Sequence, residues 1–585
     1  MDARPDVATA HNVTSTPTWF GPADRPLFGF VHQPDSGRAR GTVVVCGPLG
    51  REWSNALPAV QVLSDQLAAA GLVVLRFAYP GTGDSAGSLD DPGRVADWLA
   101  GIDQAVTFAR QTCPGPVVVV AMRMGALLAL EAVNRGTAVD HLVLWDPCIS
   151  GREYLRVERT LLATGYGAHQ VGDGSVAGPG FTFSPATVED LSDLRLAGAD
   201  FSRVGPSLVC MRREGRPFPK AGGGSGPAGV EWIDVAGQPD LLDVPPQLIT
   251  LPAATIATIA GWVADTVDGP AKPVRFEPVP CTQVARTADG GAVTERVEWL
   301  GPNSLFAIVT EPDQGGRIEP SATTGTDAPT VVFLSAGALD HTGAGRMWVE
   351  LARRFAADGL RSVRVDLDGI GETFGRTGLD RMVPKPPEAL DDLDDLAAAL
   401  GDPEGRNLIF VGLSSGGYHA IEAGLRLHPL AVCAVNPGLT GWVPDMDLGG
   451  MDHRRRAFRP MPAALRTLAV KHARVATWSW QAACQVWVKG SPIHPVAEVS
   501  RRGIPVLVIV SEMDVREFEP SAYWSAVRRH LHRRHLLDIE VVPGEDHSLY
   551  TVDGRSDAYP LLTAWIRSRF ATADRSPVTE GSTVS

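Results

Sequence analysis

The sequence predicts an α/β protein with two doubly wound, mostly parallel sheets arranged in tandem. Its 585 residues exceed the roughly 250 to 300 residues at which a single core stops growing. Short apolar runs, such as residues 43–45, 73–77 and 117–120, alternate with segments of helical period, such as 60–70 and 96–109. This alternation is typical of buried parallel strands connected by helices. The chain also repeats itself, which indicates two such domains.

The repeat is visible in short matching segments. They are Thr42-Val-Val-Val-Cys-Gly with Thr330-Val-Val-Phe-Leu-Ser, and Pro80-Gly-Thr-Gly-Asp-Ser with Asp368-Gly-Ile-Gly-Glu-Thr. Both pairs are 288 positions apart (330 − 42 and 368 − 80). Because chance matches would not keep a constant offset, the segments predict a tandem duplication. We place the two domains at residues 1–270 and 274–585.

Composition excludes several classes of protein. A net charge of −14 and a pI near 5.5 oppose binding to nucleic acid. The sequence contains no run of about 18 apolar residues, which a membrane span would require. Its first residues do not resemble a secretion signal. The seven cysteines are scattered and odd in number, which indicates reduced thiols rather than disulfides or a zinc site. We therefore expect a cytoplasmic protein without a metal or other cofactor.

A candidate nucleophile lies in the second half, in Gly412-Leu-Ser414-Ser-Gly416. The segment follows a predicted strand at 408–411 and precedes a predicted helix at 418–427. A sharp strand-to-helix turn lifts a serine hydroxyl off the sheet edge, and flanking small residues let the backbones pass closely. A serine that merely capped a helix would not require the two glycines. The pattern predicts Ser414 as a nucleophile.

Together these segments resemble the α/β-hydrolase superfamily over nearly the whole chain. More narrowly, the segments 46–52 (Cys46-Gly-Pro-Leu-Gly-Arg-Glu52), 75–85 and 336–343 resemble the serine aminopeptidase-type hydrolases associated with exosortase systems. The resemblance implies an α/β-hydrolase domain in each half and a catalytic order of Ser, acid and His. Since this fold carries esterases, thioesterases, peptidases and acyltransferases, it does not name a substrate.

A serine hydroxyl attacks poorly unless a base removes its proton and an acid orients that base. Asp514 follows the predicted strand 506–510 by a short turn, where the resemblance implies the acid, and Glu512 in that turn is the alternative. His547 follows the predicted strand 538–542 and precedes the last predicted helix, the only one of 14 histidines in that context. We expect Ser414, Asp514 and His547 to form a catalytic triad.

An oxyanion hole needs two N–H donors directed at the developing negative charge. Ser415 offers one, and the turn Ser335-Ala-Gly-Ala338 offers the second, for which we choose Ala338 while a neighbouring residue of that turn stays open. His341 and Arg346 follow on the same loop. Two interpretations fit them: they contact substrate, or they cap the next helix.

The first half departs from this pattern at all three catalytic positions. Arg123 occupies the place of Ser414, Asp240 that of His547, and Arg212-Arg-Glu-Gly that of the acid turn. A guanidinium stays protonated and cannot attack a carbonyl, so the first half is predicted to be a pseudoenzyme domain. Arg123 is either a structural substitution or a binding residue for an anionic substrate group.

The second half also carries an insertion at about 442–502, which in this fold forms a helical lid. Its aromatic residues would line an acyl pocket or pack on the core; they include Trp478, Trp480 and Trp487. Residues 454–456, three arginines, would meet an anionic carrier or a CoA phosphate, or form a solvated face.

These observations together predict a serine hydrolase that acts on an ester or thioester through an acyl-Ser414 intermediate. The alternatives are an acyltransferase with an amine or alcohol acceptor, and a non-catalytic scaffold protein. The expected partner is a small-molecule or carrier-bound acyl substrate, and the oligomeric state stays open.

Overall fold

The structure is a computed structural model. It describes residues 12–165, 171–172, 174–213, 229–287, 290–312, 329–373, 388–438, 493–512, 514, 532, 534, 536–544 and 546–570. Among them, no helix is both long and apolar enough to cross a membrane.

The first half contains strands and helices in alternation, as the sequence predicts. The strands are β1 (Val13–Phe20), β2 (Leu27–Pro34), β3 (Arg38–Ala39), β4 (Thr42–Cys46), β5 (Val73–Phe77), β6 (Val117–Met122), β7 (His141–Trp145), β8 (Val176–Gly178), β9 (Phe181–Phe183), β10 (Ser207–Arg212) and β11 (Val230–Val235). The helices are α1 (Arg51–Ala69), α2 (Arg94–Thr112), α3 (Met124–Arg135), α4 (Gly151–Gly165), α5 (Pro185–Asp193), α6 (Gln238–Leu242) and α7 (Ala253–Thr266).

The second half repeats this succession. Its strands, with a short one at the junction, are β12 (Lys272–Pro273), β13 (Cys281–Arg286), β14 (Ala292–Leu300), β15 (Leu305–Pro312), β16 (Thr330–Leu334), β17 (Arg361–Val365), β18 (Leu408–Leu413), β19 (Ala431–Val435), β20 (Val506–Ser511) and β21 (Leu537–Val542). The helices are α8 (Met347–Ala357), α9 (Glu388–Ala399), α10 (Ser415–Arg426), α11 (Ile493–Arg501) and α12 (Val552–Phe570).

Two large sheets follow the same strand order, apart from one additional edge strand, β13, in the second. The first runs β1-β2-β5-β4-β6-β7-β10-β11, and the second runs β13-β14-β15-β17-β16-β18-β19-β20-β21. The leading strands of each sheet pair antiparallel up to β5 and β17, and the strands beyond pair parallel. The α/β fold class predicted from the sequence is therefore confirmed.

The central strands are buried on both faces, which explains their continuous apolar sequences. All five residues of β16 are buried, and their side chains alternate between two core layers. Val332 and Leu334 pack with Phe410 on one face, while Val331 and Phe333 lie in the opposite layer. Removing one such side chain typically costs about 2–5 kcal/mol, so these strands form a rigid base for the loops at their carboxyl ends.

The last helix differs from its predicted extent. From the sequence, this helix is predicted at residues 559–570. In the structure α12 begins at Val552, and Pro560 lies inside it. The hydroxyl of Thr551 accepts a hydrogen bond of 3.0 Å from Gly554 N–H, a capping contact that sets the earlier start.

A long segment lies between the last core strands of each half. In the first half, α4, the hairpin β8–β9 and α5 lie between β7 and β10. The lid is predicted for about 442–502, and its residues up to 492 lie outside the described residues. Its end forms α11, where Val499 lies against Gly424 of α10.

The two halves meet through residues at equivalent positions of the repeat. Arg76 of β5 donates to both carboxylate oxygens of Glu372, at 2.7 and 2.6 Å. Arg364 of β17, 288 positions after Arg76, donates to Asp84, which lies 288 positions before Glu372. Phe30 packs against Phe306 between them, with ring centroids 5.5 Å apart. The junction is thus a reciprocal, two-fold-like contact.

The residues that follow the predicted boundary at residue 270 contact strands of the first half. Residues 272–273 form β12, which pairs with β3, and Val279 N–H donates to the Thr18 hydroxyl at 2.9 Å. Residues 272–279 are therefore held against the first half.

Candidate active site

Ser414 lies on a tight turn between β18 and α10, with its backbone at φ 55°. Such a left-handed conformation is uncommon for a residue with a side chain. A Cβ at Gly416 would lie 2.2 Å from the Leu334 carbonyl oxygen, and one at Gly412 would lie 2.0 Å from the Gly416 oxygen. Both glycines are therefore required by close backbone contacts, which is the local reason for the motif.

The structure brings the three predicted catalytic side chains together. His547 Nε2 lies 2.9 Å from Ser414 Oγ, and His547 Nδ1 lies 2.7 Å from Asp514 Oδ2. For the serine hydroxyl to donate to Nε2, the ring must carry its proton on Nδ1, where Asp514 accepts it. This geometry allows His547 to take the serine proton as a general base.

The alternative acid, Glu512, is placed differently. Its side chain is exposed, and its N–H donates to the Val542 carbonyl at 3.2 Å. Asp514 instead faces His547 and also accepts a hydrogen bond of 3.0 Å from Ser511 Oγ. Within the described residues, Asp514 is the carboxylate that contacts His547.

Asn436, which the sequence reasoning did not assign to the site, supports this arrangement. Its amide donates to the His547 carbonyl at 2.8 Å and accepts from Ser511 N–H at 2.7 Å. The side chain therefore joins the histidine loop to the strand that precedes Asp514. Its backbone lies at φ 41°, a conformation in which asparagine is enriched.

The proposed oxyanion donors lie on neighbouring turns. Ala338 follows β16, and Ser415 follows the nucleophile. Gly337 N–H donates to Ser415 Oγ at 2.6 Å, and Leu339 N–H donates to the Ala336 carbonyl at 3.0 Å. In the part of the chain that the structure describes, the N–H groups of Ala338 and Ser415 donate no hydrogen bond. Both remain open to a ligand oxygen.

His341 and Arg346 are placed otherwise than the sequence interpretations suggest. Both ring nitrogens of His341 contact carboxylates, those of Asp366 and of Asp84 in the first half. The Arg346 guanidinium donates to carbonyls of the first half. Arg346 does stand at the N-cap of α8, but its side chain makes no capping hydrogen bond. The interpretation that His341 and Arg346 contact substrate is therefore wrong: their polar atoms already bond to other groups, and both residues join the two halves.

The loop after His547 is also held by the first half. Gly180, at the turn of the hairpin β8–β9, donates its N–H to the Tyr550 carbonyl at 2.7 Å. Arg555 donates to the Gly180 carbonyl at 2.9 Å and to the Gly345 carbonyl at 2.6 Å. A Cβ at Gly180 would lie 3.0 Å from Gly345 Cα, so the close approach favours glycine.

Arg123 keeps the backbone shape of the nucleophile turn without its chemistry. Its φ and ψ are 55° and −121°, against 55° and −114° at Ser414. Its guanidinium donates to Glu52 at 3.0 Å and contacts Asp146 at 3.4 Å. Asp146 also accepts a hydrogen bond of 2.6 Å from Arg212, which occupies the place of the acid turn in the first half. Two carboxylates beside the guanidinium make capture of a further anion unfavourable, so the structural interpretation is the better supported.

We expect Arg123→Ala to lower the free energy of unfolding by about 3 kcal/mol, because it leaves the buried Glu52 carboxylate without its cation. Arg135→Ala serves as the control: Arg135 pairs with Glu131 on the surface and is 62% exposed, and its loss should cost no more than about 0.5 kcal/mol. Urea denaturation measures both. Equal, small effects would contradict the structural role of Arg123.

The described residues include no group of three or more His, Cys, Asp or Glu side chains arranged to hold a metal ion.

Part of the second half matches a known protein family. Residues 331–558, which include all three predicted catalytic residues, match the model of the alpha/beta hydrolase family. No curated protein matches the chain.

Three similar solved structures each resemble less than half of this chain. One is a hypothetical protein from Pseudomonas aeruginosa, with 15% identity over 45% of this chain and 98% of its own and a TM-score of 0.31. Est1E from Butyrivibrio proteoclasticus, with ferulic acid bound, has 13% identity over 43% and 98% and a TM-score of 0.32. A bacterial brefeldin A esterase has 20% identity over 46% and 80% and a TM-score of 0.30.

Proposed function

Because residues 331–558 match the alpha/beta hydrolase family, we propose that the protein is a serine hydrolase that cleaves an ester or thioester through an acyl-Ser414 intermediate. The observation that carries the proposal is the continuous hydrogen-bonded path from Ser414 Oγ through His547 to Asp514. A path of this kind supplies both requirements of serine nucleophiles, a base for the proton and an acid that orients the base. The substrate would be a small molecule or an acyl group on a carrier.

In the first step, Ser414 Oγ attacks the acyl carbon while His547 Nε2 takes the hydroxyl proton. The carbonyl oxygen becomes an oxyanion, which accepts hydrogen bonds from Ala338 N–H and Ser415 N–H. Each such donor typically contributes about 10²- to 10³-fold in rate. His547 then gives its proton to the departing alcohol or thiol, which leaves the acyl group on Ser414.

The second step releases the acyl group. Water attacks the acyl carbon and loses its proton to His547, and the carboxylic acid departs as Ser414 Oγ regains a proton. An alcohol or amine in place of water would make the same protein an acyltransferase, with an ester or amide as the product. Asp514 remains ionised throughout and stabilises the imidazolium that forms twice in each cycle.

A fluorophosphonate probe tests the proposal directly. We expect one equivalent of the probe on the native protein, mapped to Ser414 by peptide mass spectrometry, and none on heat-denatured protein. A screen of esters and acyl thioesters of increasing chain length, with and without an added amine, then separates hydrolysis from transfer. Absence of labelling would support a non-catalytic scaffold instead, and stoichiometric labelling of another serine would move the nucleophile.

A further inference from the structure

The loop that carries the proposed oxyanion donor Ala338 is held from both halves of the molecule. We call residues 335–346 the oxyanion loop. His341 N–H donates to Asp366 Oδ1 at 2.5 Å, and His341 Nδ1 lies 2.9 Å from Asp366 Oδ2. On its other side, His341 Nε2 lies 2.8 Å from Asp84 Oδ2 of the first half. The imidazole thus bridges its own domain and the neighbouring one.

All three side chains of this bridge are buried: 4% of the His341 side chain is exposed, 3% of Asp84 and none of Asp366. An ionised carboxylate has no proton to donate and can only accept hydrogen bonds. Both ring nitrogens of His341 must therefore donate, as they do in the imidazolium. Although burial opposes the charge, Asp366 and Asp84 raise the pKa of His341 well above its ordinary value. Charge-assisted hydrogen bonds of this kind are about twice as strong as neutral ones.

The end of the same loop is fixed to the same turn of the first half. Arg346 donates to the carbonyl oxygens of Gly83 and Ser85, both at 2.7 Å, and of Gly87 at 2.9 Å. Asp84 lies in this turn. The turn that contains Asp84 therefore contacts the oxyanion loop at two points, through His341 and through Arg346.

The loop is stiff between these contacts and Ala338. Ser335 Oγ donates to the Asp340 carbonyl at 2.6 Å, and Thr342 N–H donates to Asp340 Oδ1 at 3.1 Å. These bonds close the turn that contains Ala338, three residues before His341. A displacement of His341 is therefore passed to the Ala338 N–H.

From these contacts we propose that Asp84 of the first half is a positioning residue for the active site of the second half, acting through His341 on the Ala338 donor. This inference rests on the proposed serine hydrolase function. A misplacement of about 1 Å in an active site costs on the order of 10²-fold in rate, which is also the lower range for loss of one oxyanion donor. The pseudoenzyme half would thus have no chemistry of its own and would still set the rate of its neighbour.

The repeat provides a matched control. Glu372 occupies the position equivalent to Asp84, 288 residues later, and pairs with Arg76 across the same junction as Asp84 pairs with Arg364. Its side chain is similarly buried, with 5% exposed. Its carboxylate bonds to Arg76 and Gln61 and, among the described residues, to none of the oxyanion loop.

The experiment compares Asp84→Asn with Glu372→Gln in the full chain. Each removes one buried charge at the junction, so we expect a loss in Tm in both variants, larger in Asp84→Asn because Asp84 pairs with two cations and Glu372 with one. Asp84→Asn should lower both kcat and the rate constant of fluorophosphonate labelling about 10²-fold, with KM changed less than about threefold since substrate contacts remain. Glu372→Gln should keep both rates within about threefold of the original protein, as expected for a residue outside the active site. Equal losses in the two variants would overturn the proposal, because the effect would then be one of junction stability.

A second measurement does not depend on catalysis. Hydrogen exchange followed by mass spectrometry should show faster exchange in residues 335–346 of Asp84→Asn and unchanged exchange there in Glu372→Gln. If Asp84→Asn does not fold, Asp84→Glu replaces it in the test. This substitution keeps the charge and displaces the carboxylate by one methylene, so kcat should fall as well, but by a smaller factor. Unchanged exchange and kcat in a folded Asp84 variant would refute the proposal. Failure of the original protein to label at Ser414 would refute the proposed function instead, while the exchange comparison would still decide the positioning contact.

Discussion

Replacing Ser414 with alanine is expected to lower kcat by about 10⁶-fold, because the nucleophile and its base act as a unit. Binding and the oxyanion donors alone should leave no more than about 10³ to 10⁴ over the reaction in water. Labelling by a fluorophosphonate should disappear as well. The loss in kcat is measured with an ester or thioester that the chain-length screen identifies as a substrate. The loss of labelling is measured by gel fluorescence.

Ser548→Ala is the control for Ser414→Ala, because this serine lies beside His547 while its own N–H donates to Asp546 Oδ1 at 3.0 Å, a bond that the substitution keeps. It should retain turnover within a few fold. The Tm of Ser414→Ala should match that of the original protein. Continued labelling of Ser414→Ala would show that the reactive serine lies elsewhere.

The second large effect is expected at the acid. Asp514→Asn should lower kcat on the order of 10⁴-fold, because an amide at this position holds the imidazole in the wrong tautomer. Glu512→Gln, two residues earlier in the same turn, should change kcat less than about threefold, since its exposed side chain does not reach His547 in the described structure. Steady-state kinetics of the two variants measure the difference. A larger loss in Glu512→Gln would transfer the role to Glu512.

The parts of the site that sequence could predict are those that depend on local chain geometry. The glycines around Ser414 are required by contacts with Leu334 and with each other, a few residues away or on the adjacent strand. A requirement of that kind produces a short motif. The position of His547 between a buried strand and the last helix is likewise readable from hydrophobic periodicity.

The parts that sequence could not predict depend on contacts between distant segments. His341 and Asp84 are 257 positions apart, and nothing in either local sequence indicates that they meet. The pairing of Arg123 with Glu52 is similar: the sequence left open whether Arg123 is a structural substitution or binds an anion, because its partner lies on α1, 71 positions earlier. The bonds of Asn436 to His547 and Ser511 likewise depend on the sheet bringing three strand ends together.

The junction between the halves has a consequence for folding during synthesis. Domains generally fold as units, the N-terminal one first, as the chain is made. Until the second half is complete, Phe30 lacks its contact with Phe306 and would present an apolar surface to other chains. The Arg76 guanidinium lies over the Phe30 ring, 4.0 Å from its centroid, within the same half. We expect a cation on this ring to keep the unfinished surface hydrated and to oppose self-association of the first half until the second half is made.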